Sequence, residues 1–360
     1  MVAQGGMDML RVGIIGCGKI AELRHAPEYL ENPHCELVGF YDYAPERAKA
    51  LAEKFGAKAF DTVDELISQV DAVSVCSANI AHAEATIRAL DAGRHVLCEK
   101  PMATTLADCE AMVAASRRSG KLLMLGHNQL FAEAHVRARA LIAAGEIGKP
   151  LMFHTTFGHS GPEIWTGTAN TWFFDKKRAV LGVLADLGIH KTDLIQFLLG
   201  DDIVRVSATI KTLDKKYPDG TPVTVDDNAL CLYETAGGAV GTLHVSWTLY
   251  NGREDNSTRV YGTKGVLRMY DDPDCALILE RSDGTVERFD VERIATNDEQ
   301  KAGKRASTGV IDAFVDAIVS GKPTPAEGGQ ALKAMRVIFA AERAAQTGTT
   351  VSVDQSPVKG

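Results

Sequence analysis

The first third of the chain most constrains what it can fold into. Five apolar runs lie at "LRVGIIG" (residues 10–16), "CELVGFYD" (35–42), "AVSVCS" (72–77), "HVLCEK" (95–100) and "LLMLGHN" (122–128). They are apolar nearly throughout rather than alternating, as strands buried on both faces must be. Stretches of helical length separate them. One is expected from about Lys19 to Leu30. "PERAKALAEKFG" (45–56) opens on Pro45 and closes on Gly56, both helix-boundary signals. "AHAEATIRALDAG" (81–93) is the clearest. The pattern predicts an α/β, doubly wound parallel sheet.

After Asn128 the pattern changes. Helices are expected at "AEAHVRARALIAAG" (132–145) and across residues 181–200, with a strand at 151–157 and a long loop between. From Val204 onward short alternating or β-branched segments, several joined by "AGG", "GTKG" and "SDG", predict a large, mostly antiparallel sheet. Two helices follow, at 309–321 and 328–348. The division expected is a dinucleotide-binding domain over 1–128, a substrate and oligomerisation domain over 129–353, and a loose tail, "DQSPVKG", over 354–360. The first eight residues read as a loose extension.

A formal charge of −8 argues against a nucleic-acid partner. No apolar stretch is long enough to span a bilayer, and "MVAQGGMDML" lacks the pattern of a secretory signal. The seven cysteines form no C-x-x-C pair, which points to reduced thiols and a cytoplasmic setting rather than a disulfide frame or a metal site.

The first strand ends in Gly16-x-Gly18-x-x-Ala21. Gly16 permits the tight turn, Gly18 lets a pyrophosphate approach the backbone, and Ala21 lets helix and strand pack closely. The anion is expected at the helix N-terminus, beside Lys19 and Ile20. A lone glycine motif is weak; one that follows a strand and opens a helix is stronger. Asp42, ending the second strand, can accept from both adenosine ribose hydroxyls and would repel a 2′-phosphate, which favours NAD over NADP. Arg47 nearby weakens that preference.

Ligands gather beyond the carboxyl ends of the strands in such a sheet. Ser77, Glu99, Lys100 and Asn128 all lie there. A buried strand ending in "EKP" is costly unless its charges meet a partner or a ligand. The alternative is an ordinary solvated Glu–Lys pair. Pro101 stops the strand, and a cis peptide there would aim Lys100. Further along, Asp186 and His190 are four apart on an expected helix and so share a face. Gly188 between them costs about 1 kcal/mol against alanine, which suggests that a nicotinamide or a strand comes close. Asp193, one turn on, reads as structural.

Together, Gly16-x-Gly18-x-x-Ala21, "AGRHVLCEKPMA" and "ADLGIHKTDL" resemble the Gfo/Idh/MocA oxidoreductases over nearly the whole chain. The resemblance implies an N-terminal Rossmann domain, a C-terminal α/β domain with an open sheet, and NAD(P)-dependent redox chemistry on sugars, inositols or related polyols. It places Lys100, Asp186 and His190 at the catalytic positions and Trp172 in a loop near cofactor and substrate. It also places Asn79 and His82 along the cofactor groove, although Asn79 can equally cap the next helix.

Oxidising a secondary alcohol requires a base for the hydroxyl proton. A histidine suits this at neutral pH, and Lys100 can share the role or steady the alkoxide. Which of Lys100 and His190 is the base stays open at this point. "GHNQLF" (126–131) lacks the arginines many relatives carry there, which points to a neutral sugar, glycoside or polyol. His127 and Asn128 are candidates for touching it. The loop "FGHSGPEIWTGTANTWFFD" (157–175) has the length and composition of a substrate lid, with Trp165 and Trp172 able to stack on a sugar; Phe173 and Phe174 read rather as local core. Two other readings use the same residues: a redox-assisted glycosidase or lyase, with a variant oxidising glycosides for a partner enzyme, and a non-catalytic NAD-binding regulator. Finally, Leu232, Val245 and Trp247 are expected on an uncovered face of the second sheet, where a homodimer or homotetramer would bury them.

Overall fold

The computed structural model describes residues 9–294 and 309–358. The expected N-terminal extension and the last two residues of the tail lie outside them, as does the side chain of Trp165.

The first sheet contains β1 (Leu10–Ile15), β2 (Cys35–Tyr41), β3 (Lys58–Ala59), β4 (Ala72–Val75), β5 (His95–Cys98) and β6 (Leu123–Leu125). All pair in parallel, in the order β3-β2-β1-β4-β5-β6. That order is the one expected of a doubly wound dinucleotide-binding sheet, with a switch point between β1 and β4 where a crevice opens. Only the two-residue β3 at the edge has no counterpart among the expected strands. The helix after β1 starts as a wide π turn over Ala21–His25 before becoming α-helical over Ala26–Glu31, with Pro27 in its first turn.

The second sheet contains β7 (Pro150–Gly158), β8 (Ile203–Lys211), β9 (Asn228–Thr235), β10 (Val240–Ser246), β11 (Thr258–Gly262), β12 (Gly265–Met269), β13 (Leu277–Arg281), β14 (Val286–Phe289) and β15 (Val351–Ser352). Its order is β14-β13-β12-β11-β7-β10-β9-β8-β15, and only the β7–β10 pair is parallel. The helices Ile189–Leu199 and Gly328–Thr347 cover one face. Along β9 and β10 burial alternates, so that Leu230, Leu232 and Val240 stand exposed on the other face. Val245 and Trp247 were expected beside Leu232. Both are fully buried instead, Val245 because the pleat puts it on the face opposite Leu232, and Trp247, just past the end of β10, against Phe173 and Phe174.

The C-terminal segment returns to the first sheet. Leu125 N–H donates to Ala326 O, and the helix Val310–Ser320 shares a core with Val12, Ile14 and Tyr29. Residues 354–358 run along the surface and are tied down by hydrogen bonds: Gln355 donates to Ile203 O, and Arg117 donates to Val358 O. No helix among the described residues is long and apolar enough to cross a membrane.

Candidate active site

A cleft of ≈ 960 Å³ runs along the carboxyl ends of β1, β4 and β5 and is closed on its far side by the second half of the chain. Gly16, Gly18, Lys19, Ile20, Asp42, Ser77, Asn79, His82, Glu99, Lys100, Asn128, Trp172, Asp186 and His190 all line it. Of the site residues expected from sequence, His127 does not.

The glycine turn fits a dinucleotide. Gly16 has φ +95°, and a Cβ there would lie 2.5 Å from Ser77 N, so only glycine suits the position. Gly18 has no atom within 4 Å of where its Cβ would be, leaving the backbone open to the cleft. Asp42 accepts from Cys17 N–H at 2.7 Å and from Ala44 N–H at 2.8 Å. These bonds fix its carboxylate at the rim and leave it lone pairs for a ribose. Lys19 reaches Glu22 rather than the cleft floor. Buried Ser77 Oγ and Asn128 Oδ1 have no hydrogen-bond partner among the described residues, which is what a site awaiting a polar ligand shows.

Asn79 caps no helix. Its side chain donates to Ala179 O at 3.2 Å and ties the first half of the chain to the short helix Lys176–Ala179. His82 contacts Pro101 O at 2.8 Å and Ser77 O at 3.0 Å. Burial lowers its pKa, so a neutral ring donates to one carbonyl at a time. Its nitrogens are thus spent on the turns that carry Ser77 and Lys100, and the Lys100–Pro101 peptide is cis.

Lys100 Nζ donates to Asp186 Oδ1 at 2.6 Å and to Asp186 O at 3.2 Å, joining residues 86 apart in sequence. Trp247 Nε1 donates to the other carboxylate oxygen, Oδ2, at 3.2 Å. Trp247 is in turn walled by Phe173 and Phe174, and Trp172 stacks on Phe173 at 4.1 Å. The aromatic loop therefore braces the carboxylate through Trp247.

Asp186 sits in a π turn, Leu184–Gly188, that runs into the helix Ile189–Leu199. Asp226 holds the start of that turn, accepting from Gly182 N–H and Leu184 N–H, both at 2.8 Å. A Cβ on Gly188 would meet the side chains of Leu184 and Leu243, so the close neighbour there is strand β10.

His190 is buried and its Nδ1 has no partner among the described residues. Burial first, then the charge of Lys100, pushes its pKa well below the ordinary histidine value, so the ring is neutral and can accept a proton. His127 lies behind it, ring centroids 6.3 Å apart, with Nδ1 on Asp193 Oδ2 at 2.5 Å. Asp193 is thus engaged with His127 and not with the cleft.

Several lining residues carried no sequence signal. His159 accepts Gly161 N–H at Nδ1, which leaves the hydrogen on Nε2. Burial lowers its pKa, and Asp186 and Lys100 both act on it electrostatically. Gln129, Glu254 and Asn256 close the far wall. Asn256 arrives from a loop distant in sequence and is tied here by Gln129 Nε2, which donates to its Oδ1 at 3.0 Å, and by Lys191 Nζ, which donates to its carbonyl at 2.9 Å.

Residues 10–127 match the model of an oxidoreductase family with an NAD-binding Rossmann fold, and residues 135–268 match the GFO/IDH/MocA C-terminal domain. The chain is 32% identical to 1,5-anhydro-D-fructose reductase of Ensifer adhaerens over 72% of its own length and 75% of that protein's. It is 34% identical to glucose-6-phosphate 3-dehydrogenase of Bacillus subtilis, over 61% of this chain and 63% of the relative. In three dimensions it is similar to the aldose-aldose oxidoreductase of Caulobacter crescentus crystallised with glycerol, at a TM-score of 0.80 and 29% identity, covering 96% of this chain and 100% of that one.

Proposed function

This chain belongs to the Gfo/Idh/MocA oxidoreductase family, and from that premise we propose that it is an NAD-dependent dehydrogenase of a secondary alcohol on a neutral sugar, glycoside or inositol-type polyol. The observation that carries the reading is the Lys100–Asp186 pair and neutral His190 on one wall of a cleft whose opposite end is a dinucleotide turn.

Bound NAD supplies the acceptor for the two electrons and the hydrogen that leave the alcohol carbon. The chain supplies the rest. Gly16, Gly18, Lys19 and Ile20 take the pyrophosphate, Asp42 the adenosine ribose, and Ser77 and Asn128 offer their unpartnered oxygens to the nicotinamide half. Lys100 hydrogen-bonds the reacting hydroxyl and steadies negative charge on its oxygen. Asp186, held from its other side by Trp247, keeps Lys100 extended across the cleft. Neutral His190, whose Nδ1 has no partner among the described residues, takes the hydroxyl proton, while Lys100 is held as a donor to Asp186. Trp172 offers an aromatic wall to the substrate. His127 serves from behind, through its bond to Asp193.

We take residues 1–128 as the cofactor domain and 129–353 as the substrate domain, with the helix Val310–Ser320 reaching back onto the former. Seven free, buried cysteines support a reducing, cytoplasmic setting. The uncovered face around Leu230, Leu232 and Val240 supports a homodimer or homotetramer.

Reduction of NAD, followed by its absorbance across inositols, aldoses and glycosides, tests the reading. Turnover is expected with at least one class, and Lys100→Met should cut kcat by about 10³-fold or more while leaving NAD bound. A protein that binds NAD and turns over none of them would defeat the proposal.

A further inference from the structure

Behind the cleft a line of buried polar groups ends on Glu99. Tyr29 Oη lies 2.7 Å from Ser74 Oγ, which lies 3.1 Å from His25 Nδ1; His25 Nε2 lies 2.9 Å from Glu99 Oε1. Tyr29 and Ser74 are fully buried and His25 is 3% exposed. The tyrosine and histidine come from the helix after the glycine turn and the serine from β4, so the line runs beneath the dinucleotide turn.

The proton positions follow from counting acceptors. The Tyr29 hydroxyl has one partner among the described residues, Ser74 Oγ, and burial keeps it protonated. Its hydrogen must therefore go to Ser74, since a buried donor without an acceptor is costly. Ser74 then gives its own hydrogen to His25 Nδ1. That makes Nδ1 an acceptor and puts the ring hydrogen on Nε2, where it donates to Glu99. Reversing the line strands the phenol hydrogen. Every proton has an acceptor in one direction only, and that direction ends on an ionised carboxylate.

Glu99 is held from other sides as well. Lys100 N–H donates to its Oε2 at 3.2 Å. A Cβ on Gly126 would come within 2.9 Å of its Oε1, so the carboxylate fills that space. The other charged or titratable groups facing it are Lys100, His82 and the buried thiols of Cys76 and Cys98. Lys100 is already paired with Asp186, so it does not by itself cancel the negative charge that Glu99 adds to the cleft. Burial alone would raise the Glu99 pKa; the His25 hydrogen bond and the nearby positive charge outweigh it and hold the group below its usual value.

We propose that His25 is a positioning residue that keeps Glu99 a carboxylate at the nicotinamide end of the cleft, so that the site prefers the oxidised, cationic ring of NAD to the neutral reduced form. The inference rests on the cofactor reading above and adds to it a preference between redox states, set by a residue at the back of the cleft, beneath the dinucleotide turn.

The test is the ratio of the dissociation constants of NADH and NAD, with NADH titrated by its fluorescence and NAD by competition. In the wild type the ratio should stay flat from about pH 5 to about pH 8, because Glu99 is ionised throughout. Glu99→Gln should lower it roughly tenfold at every pH, through loss of one nearby charge. His25→Phe should make the ratio pH-dependent, near the wild type at the alkaline end and falling towards Glu99→Gln as the now unsupported carboxyl takes up a proton. His25→Gln keeps an amide N–H for Glu99 and should restore the flat profile. If His25→Phe does not fold, Ser74→Ala, which frees the tautomer, should give the same trend more weakly. An unchanged ratio in Glu99→Gln, or equal weakening of both forms at all pH in the His25 variants, overturns the proposal. Failure of the wild type to bind either form would instead remove the cofactor reading beneath it.

Discussion

His135 and His190 are both buried, each with one ring nitrogen unpartnered among the described residues, and burial sets the proton each can hold. His135 is pushed down to about 3, by burial first and then by the charge of Lys191, while its Nδ1 bonds Gln129 O. His190 is lowered in the same direction. Both groups have folded pKa values below the unfolded one near 6.5. Under acid the unfolded chain therefore binds protons that the folded chain refuses. Stability falls as pH drops below about 6.5, and recovers as pH rises back through that value. For His135 alone the loss at pH 4 is about 3 kcal/mol. Denaturant midpoints should thus decline steadily from pH 7 to pH 4, and His135→Gln should flatten the slope even if it lowers the plateau. A variant with the slope of the wild type would show that His135 carries none of the acid lability.

At the scale of elements, the helix that carries His190 depends on the turn before it. A Cβ on Gly182 would lie 2.0 Å from Asp226 O and 2.8 Å from Asp226 N, a clash with backbone that cannot rotate away. Gly182→Ala should therefore break the two bonds from Asp226, cost about 2–4 kcal/mol and displace Asp186. Gly188→Ala is the matched control. Its Cβ meets only movable side chains, Leu184 at 3.0 Å and Leu243 at 3.5 Å, so its effect should stay within about 1 kcal/mol. Thermal melts with turnover of both variants check this; equal losses would remove Asp226 as the anchor. The same helix shows what could be read from sequence. The run of buried strands and the glycine turn are local signals, and the structure reproduces both; Asp186 and His190 both line the cleft, but Asp186 does so from a π turn ahead of the helix that carries His190. The contacts that complete the site are not local. Trp247 reaches Asp186 from a strand end 61 residues on, and His25 reaches Glu99 across 74. Placing Trp247 on the open face failed for the same reason: alternation tells two faces apart but not which one the helices cover.

At the scale of the whole molecule, the second sheet covers one face and leaves the other bare. Leu230 is 53% and Leu232 55% exposed on β9, with Val240 at 44% on the neighbouring β10. Thr242 and His244 sit opposite Leu232 and Leu230 in register. The apolar residues thus form a patch across two adjacent strands, β9 and β10, and ion pairs such as Arg205–Glu234 fringe it. A sheet face of this kind is flat and its main-chain groups are already paired within the sheet, so a second copy can lie against it without leaving polar groups unsatisfied. Because these side chains touch little in their own chain, replacing them should change folding stability by only about 0.5 kcal/mol. Any effect on assembly then reports the interface and not the fold. Leu230→Asp with Leu232→Asp places like charges at the centre of a two-fold contact, where each meets its own image. Sedimentation of the wild type at micromolar concentration should show a dimer or tetramer, and the double variant should sediment as the next smaller species with an unchanged melting profile. A monomeric wild type, or a variant that assembles as well as its parent, would leave the bare face without a partner of its own kind.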